Sequence, residues 1–187
     1  MFYICVYEIP YYATMGFTKT RAENEARYVA EYVLQKYPED MVKYRCPLGK
    51  VPESMIKELG IAKATGVYRP YRPEVDALVI TATHVVVLEG KIFKVMDGLS
   101  KLPVYRSLIP ETPELDLYKK FPTRAVLVTP KQPVWSAPFV REQNIEIDIF
   151  LPEWLEGYFQ EQEMYWTAEE RMKRLERKEV LKGLGFT

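Results

Sequence analysis

The chain has 187 residues, a length that fits one domain or one domain with an appendage. Lysine and arginine together number 26, as do aspartate and glutamate, so the formal net charge is zero. This balance excludes a binder that relies on overall positive charge to hold polyanions, although it is compatible with a local basic patch.

The first predicted elements are a short strand and a helix. Residues 1–9 predict a strand or an ordered entry segment, which Pro10 closes. They lack the pattern of a signal peptide, and no apolar run of the chain is long enough to span a bilayer, so we expect an intracellular, cytoplasmic protein. Residues 18–37 predict a helix, with Thr20 and Glu23 as a capping box. Its apolar stripe at helical spacing consists of Ala22, Ala26, Val29, Ala30, Val33 and Tyr37.

The elements that follow fit an α/β or α+β fold. Residues 40–72 are ambiguous, being compatible with a strand at 41–47 and a short helix at 51–60. Residues 96–108 predict a helix or a loop. The remaining predicted strands are two within 73–92, one at 124–129 between prolines, and one at 144–151 with a wet face.

The C-terminal part of the sequence predicts helices of a different character. Pro152 opens an aromatic helix, and Thr167 with Glu170 fits a second capping box ahead of a run of mixed charge. We place a soft boundary near residue 151, between a core at 1–150 and a helical appendage at 151–187. We expect the aromatic helix to dock on the core, with a homo-oligomer formed through the C-terminal helices as the alternative.

The stretch 73–92 carries charges at both ends of an apolar run. Read as two antiparallel strands with a tight turn at Ala82 and Thr83, it pairs residues whose numbers sum to 165. Asp76 then lies opposite Glu89 on one face of the sheet. Lys91 follows two residues after Glu89 and therefore points to the same side.

Two carboxylates in this arrangement repel each other unless a cation compensates them. Mg²⁺ uses one or two carboxylates and takes its other ligands from waters and substrate phosphates, so Asp76 and Glu89 predict a site for Mg²⁺ or Mn²⁺. Lys91 is placed to hold an attacking water or to neutralise charge on a phosphate. In the competing interpretation, Asp76 caps its strand and Glu89 pairs with Lys91 or Lys94 at a solvated strand end.

An aspartate in one strand, followed by Glu-x-Lys at the end of the next apolar strand, resembles the PD-(D/E)XK nuclease superfamily, in particular members with the nuclease-related-domain pattern. The resemblance covers roughly residues 20–130, and Val75 stands where the motif has proline. It implies a restriction-endonuclease-like mixed sheet flanked by helices and Mg²⁺-dependent cleavage of nucleic-acid phosphodiesters. It also implies that Asp76 and Glu89 ligate the metal and that Lys91 is the catalytic lysine.

Many members of this superfamily add a glutamate from the first helix. Glu25 lies at the edge of the apolar stripe and is the first candidate for this role, with Glu23 second.

Basic and aromatic residues flank the two predicted strands. Arg69, Tyr71 and Arg72 precede them and Lys94 follows them, and these four are the predicted nucleic-acid contacts. The sequence therefore predicts a metal-dependent nuclease acting on DNA. The alternatives are a catalytically inactive module of the same fold that binds nucleic acid or supports assembly, and an unrelated α/β protein with charged strand ends.

Overall fold

A mixed five-stranded sheet organises the protein, and the computed structural model describes it within residues 21–165 and 168–183. The strands lie side by side in chain order: β1 (Met41–Pro47), β2 (Glu74–Ile80), β3 (Val85–Gly90), β4 (Thr123–Thr129) and β5 (Ile145–Ile149). β2 pairs antiparallel with both β1 and β3, whereas β3, β4 and β5 are parallel. The predicted strand at 1–9 and the predicted cap residues Thr20 and Thr167 lie outside the described residues.

Helices flank this sheet, which confirms the predicted α/β fold class. In chain order they are α1 (Arg21–Lys36), α2 (Glu53–Leu59), α3 (Ile61–Tyr68), α4 (Val95–Leu108), α5 (Ala137–Glu142), α6 (Glu153–Tyr165) and α7 (Ala168–Gly183). Short 3₁₀ turns are found at Arg69–Tyr71, Ile109–Glu111, Pro113–Tyr118 and Val134–Ser136.

The helices α1 and α4 cover opposite faces of the sheet, so the central strands are buried on both sides and are apolar along most of their length. The cluster under α4 contains Leu99 and Leu102 together with Leu78, Val85, Val87, Ala125 and Leu127. The cluster under α1 contains Tyr28, Val29 and Val33 together with Ala77, Val79, Val86, Leu88, Val126 and Val128. Successive residues of a strand thus enter different clusters.

The buried face of α1 differs from the predicted stripe. Ala22 and Ala26 are exposed, and the buried residues of the helix are Asn24, Tyr28, Val29, Tyr32 and Val33. Tyrosine buries far more apolar surface than alanine, so the helix turns its tyrosines toward the sheet. Their hydroxyls find acceptors there: that of Tyr28 donates to the Phe150 carbonyl at 2.7 Å, and that of Tyr32 donates to the Asp148 carboxylate.

The β2–β3 hairpin has the predicted register, because Ala77 pairs with Leu88 and Ile80 with Val85. Its loop lacks an Asn-Gly signal, and the Thr81 side chain closes it instead. The Thr81 hydroxyl oxygen accepts the backbone N–H of His84 at 3.0 Å, and the Thr81 N–H donates to the His84 carbonyl at 3.0 Å. A local side-chain bond thus fixes the two-residue turn.

The helix α6 packs on the core, as expected for the aromatic helix. Leu155 is fully buried in the cluster under α1, and the Trp154 indole N–H donates to Glu31 at 2.6 Å. The guanidinium of Arg27 lies 4.3 Å from the centre of the Trp154 ring. The side chains described on α7 are largely exposed. Within the described ranges, no helix is long and apolar enough to cross a membrane.

Candidate functional site

Strand pairing is interrupted on both sides of Asp76, near the start of β2. The β1–β2 ladder pairs Tyr44 with Ala77 and Cys46 with Val75 but passes over Arg45, whose φ of 49° takes it out of extended geometry. On the other side, the β2–β3 ladder ends at Ala77. The Asp76 carboxylate replaces the missing pairing by accepting the backbone N–H of Gly90 at 3.0 Å, which fixes it beside the end of β3.

Glu89 is a fully buried carboxylate on the α4 side of β3. Its Oε1 lies 3.2 Å from the ammonium of Lys91 and 2.8 Å from that of Lys101, whereas its Oε2 is buried without a hydrogen-bond partner among the described residues. Burial and the negative charge of Asp76 raise the pKa of Glu89 above its ordinary value, against the pull of the two lysines. A buried polar atom of this kind calls for a specific explanation, because nearly all buried polar groups are hydrogen-bonded.

Lys91 joins three carboxylates that come from different elements. Its Nζ lies 3.2 Å from Glu89, 3.3 Å from Glu25 and 3.7 Å from Asp76. Burial lowers the pKa of Lys91, but the surrounding carboxylates outweigh burial, so the pKa lies above its ordinary value. Lys91 is therefore a buried cation at neutral pH.

Glu25 reaches this group because α1 lies directly on the backbone of β3. Gly90 allows that approach: a Cβ atom at this position would lie 2.2 Å from Cγ2 of Val29, one turn after Glu25. Glu23, the second candidate, is exposed on the same helix. The structure thus brings Glu25, Asp76, Glu89 and Lys91 together.

Two residues of α4 complete the group and were missed by the sequence reasoning. Lys101 binds Glu89, as described above. Gly98 leaves the space that the site fills, because a Cβ there would lie 2.9 Å from Cγ of Lys91 and 2.6 Å from Cδ1 of Leu127. The sequence signal that could have indicated them is the spacing of Gly98 and Lys101, which are three residues apart and therefore on one side of α4, next to its buried leucines.

The predicted nucleic-acid contacts have different surroundings. Arg72 is buried, and its guanidinium forms two hydrogen bonds with Glu114, at 2.6 and 2.8 Å. It also donates to the backbone carbonyls of Pro47, at the end of β1, and Leu48. These bonds tie the Arg72 guanidinium to the protein itself, and its predicted contact with nucleic acid stays a prediction. Arg69 pairs with Glu74 at 2.8 Å, while Tyr71 is exposed and lies 5.4 Å from Tyr68 between ring centres. Lys94 is exposed just before α4.

The acidic residues of the site suit a cation that needs few protein ligands. In the part of the chain that the structure describes, no group of three or more histidine, cysteine, aspartate or glutamate residues has the geometry of a metal cluster. Asp76 and Glu89 offer two carboxylates, the number that Mg²⁺ uses when waters and phosphates supply the rest. With all groups ionised, the three carboxylates around Lys91 exceed the two ammonium groups by one charge, which also favours a cation.

Comparison with known proteins gives matches at the level of structure. No family model and no curated protein matches the sequence. The fold is similar to the crystal structure of a repair endonuclease from Pyrococcus abyssi, at 15% identity and a TM-score of 0.45, over 74% of this chain and 50% of that one. It is also similar to EndoMS in a complex with double-stranded DNA, at 18% identity and a TM-score of 0.43, over 75% of this chain and 48% of that one. The chain spans about half the length of each.

Proposed function

We propose that this protein is a metal-dependent nuclease that hydrolyses phosphodiester bonds of DNA. The observation that carries the proposal is the convergence of Glu25, Asp76 and Glu89 on the buried ammonium of Lys91. Burying charges costs several kcal/mol per ion, and apolar residues of similar volume often serve stability as well or better. Stability alone is therefore a weak reason for this group, which supports a catalytic role.

The proposed metal ligands are Asp76 and Glu89. The unpartnered Oε2 of Glu89 and the excess negative charge support a divalent cation there, Mg²⁺ or Mn²⁺. Asp76 and Glu89 would hold such an ion, which would supply a Lewis acid for a phosphoryl oxygen and a lower pKa for a bound water. The assignment of DNA as substrate extends from the resemblance of Asp76 and the Glu89–Lys91 motif to PD-(D/E)XK nucleases.

The protein's own residues have separate roles in this proposal. Lys91 remains protonated and offers a fixed positive charge to the phosphate oxygens as negative charge develops on them. Glu25 holds the ammonium of Lys91 in place, and the N–H of Gly90 holds Asp76. Lys101, whose side chain is 44% exposed, pairs with Glu89 and offsets its negative charge.

The test is cleavage of circular and linear DNA by the purified protein, with Mg²⁺ or with EDTA. We expect cleavage that requires the metal, and a loss of about 100-fold or more in Asp76→Asn and Glu89→Gln. The control is Asp116→Asn, because Asp116 is an exposed carboxylate that pairs only with its neighbour Lys119 among the ion pairs described. Circular dichroism checks that each variant is folded.

Two results would separate the alternatives. A protein that binds DNA but cuts none of these substrates, and shows no Mg²⁺ binding by calorimetry, is the inactive module. Cleavage by Asp76→Asn at the rate of the parent protein would show that the site lies elsewhere.

A further inference from the structure

A cleft of about 910 Å³ lies beside the candidate site. Its walls come from the segments that follow β3 and β4 and from α6, and they include Phe93, Thr129, Trp135 and Phe159. Because β3, β4 and β5 are parallel, their carboxyl ends share one edge of the sheet, where open α/β sheets bind their ligands.

The cleft and the candidate site lie at the same ends of β3 and β4. Phe93 follows Lys91 by two residues, and the N–H of Lys91 donates to the carbonyl of Val128 at 2.9 Å, which places Thr129 at its side. Neighbouring strands lie about 4.8 Å apart, so the edge from β3 to β5 extends roughly 10 Å away from the site. The cleft therefore begins within one or two strand spacings of Lys91, close enough for one polymer to reach both.

The walls of the cleft present aromatic rings and few charges. Trp135 is 63% exposed and Phe93 is 41% exposed, and both side chains line this one cleft. The ammonium of Lys131 lies 5.5 Å from the centre of the Phe159 ring. Glu156 also lines the cleft and balances Lys131, so the walls lack the excess of positive charge that attracts a duplex backbone.

Exposed rings with balanced charge fit nucleobases better than phosphates. Every base has a face that stacks on an aromatic side chain, but a base inside a duplex has both faces covered by its neighbours. The buried hydroxyl of Thr129 has no hydrogen-bond partner in the described structure, which leaves a polar atom for a ligand beside Lys91. We infer that this cleft binds unpaired nucleotides of the strand that crosses the candidate site, so that the enzyme prefers DNA with a single-stranded segment. The inference rests on the proposed function for its choice of polymer.

The test measures binding without catalysis. Fluorescently labelled duplex DNA, the same duplex with a thymidine tail, and a thymidine oligonucleotide are titrated with the protein in EDTA, and fluorescence anisotropy gives the dissociation constants. We expect the wild type to bind the tailed duplex more tightly than the blunt one. Trp135→Ala and Phe93→Ala should each weaken binding of the tailed and single-stranded DNA about tenfold or more, as the loss of a stacked base does, while leaving blunt duplex binding nearly unchanged.

The matched control is Tyr44→Ala. Tyr44 is an aromatic residue of similar exposure, 49%, on β1, the outer strand on the side of the sheet away from β4 and β5. Its removal should leave all three affinities as in the wild type. The inference is overturned if the wild type does not prefer the tail, if it binds no single-stranded DNA, or if Trp135→Ala changes tailed and blunt DNA equally. Since the assay needs neither metal nor cleavage, a protein that holds the tail in the cleft but never cuts supports the inference while the nuclease proposal fails.

Discussion

Gly98 of α4 keeps open the space that the charged residues of the site occupy. An alanine there would place its Cβ 2.6 Å from Leu127 and 2.9 Å from Lys91, inside ordinary contact distance. We expect Gly98→Ala to lower the free energy of unfolding by about 1–3 kcal/mol and to lose DNA cleavage, because Lys91 and Glu89 must shift. Urea denaturation and the cleavage assay measure the two effects.

The control for this change is another helical glycine. A Cβ at Gly66 of α3 meets nothing within 4 Å, so Gly66→Ala should keep cleavage and gain up to about 1 kcal/mol of stability from helix propensity. Equal behaviour of the two variants would contradict the role assigned to Gly98.

The buried carboxyl of Glu89 makes stability depend on pH in a definite direction. Its pKa in the folded protein lies above the ordinary value of 4.5, so the folded state holds this proton more tightly than the unfolded chain. The stability that Glu89 contributes is therefore fully present below pH 4.5 and is lost as the pH rises through the folded-state pKa. We expect metal-free Glu89→Gln to match the wild type near pH 4 and to become the more stable of the two at pH 7.

Urea denaturation in EDTA across this range measures the difference between the two proteins. A wild type that gains stability relative to Glu89→Gln as the pH rises would show that the lysines outweigh burial and the repulsion from Asp76. Asp116→Asn, which changes an exposed carboxylate, should show no such trend.

The site residues that the sequence predicted are those that short-range spacing along the chain brings together. Asp76, Glu89 and Lys91 follow from the two-residue period of strands and one hairpin register. The contact of Lys101 with Glu89 depends on how α4 crosses the sheet, which no local pattern encodes. The pairing of Arg72 with Glu114 depends on tertiary structure in the same way, since the two residues are 42 positions apart in the chain.

At the scale of elements, the contact between α1 and β3 determines whether Glu25 reaches Lys91. Gly90→Ala would bring its Cβ to 2.2 Å from Cγ2 of Val29, so we expect a loss of about 1–3 kcal/mol or more, together with a loss of cleavage as α1 moves away. Val29→Ala removes that atom, and the next contacts of the new Cβ are at 3.5 and 3.6 Å, which are ordinary distances.

A double-mutant cycle measures this coupling. The cost of Gly90→Ala in the Val29→Ala background should fall by at least about 1 kcal/mol relative to the wild-type background. Strict additivity of the two changes would show that the helix does not lie on Gly90 as described.

The sequence predicted the positions of elements with a strong local period, but it did not predict correctly which face of α1 is buried. The hairpin, the strand between prolines and the first helix all lie where the sequence places them. The prediction that Ala22 and Ala26 are buried was wrong. Alanine counts as apolar in a helical pattern, but its small side chain gains little free energy from burial. Residues 41–47, which were ambiguous in the sequence, form an edge strand. Their apolar and polar residues alternate only weakly, so pairing with β2 determines that they are a strand.

At the scale of the whole molecule, α6 and α7 differ in what they contribute to the core. A chain that ends after residue 165 loses only α7, whose described side chains are largely exposed, and should stay within about 0.5 kcal/mol of the full chain. A chain that ends after residue 151 also loses α6. Burial of one leucine is worth about 1.5–3 kcal/mol, and Leu155 is packed together with three aromatic residues of α6, so we expect a loss of more than about 3 kcal/mol.

Thermal or urea denaturation of the two truncated proteins checks this expectation. Equal stability of both would mean that the sheet keeps its core without α6. The prediction of a boundary near residue 151 would then describe an independent core, whereas a strong loss would place α6 within the unit that folds.

The two-residue loop at Ala82 and Thr83 also bears on the order of folding events. Hairpins form in about 1–10 μs, whereas pairing that brings distant parts of the chain together is slower because longer loops must close. Asp76 and Glu89 are only 13 positions apart, so their charges approach one another before the rest of the sheet assembles. We therefore expect Glu89→Gln to refold faster than the wild type in stopped-flow experiments at pH 7 and at the same rate near pH 4. The pair proposed to hold the metal would then slow the assembly of the strands that carry it.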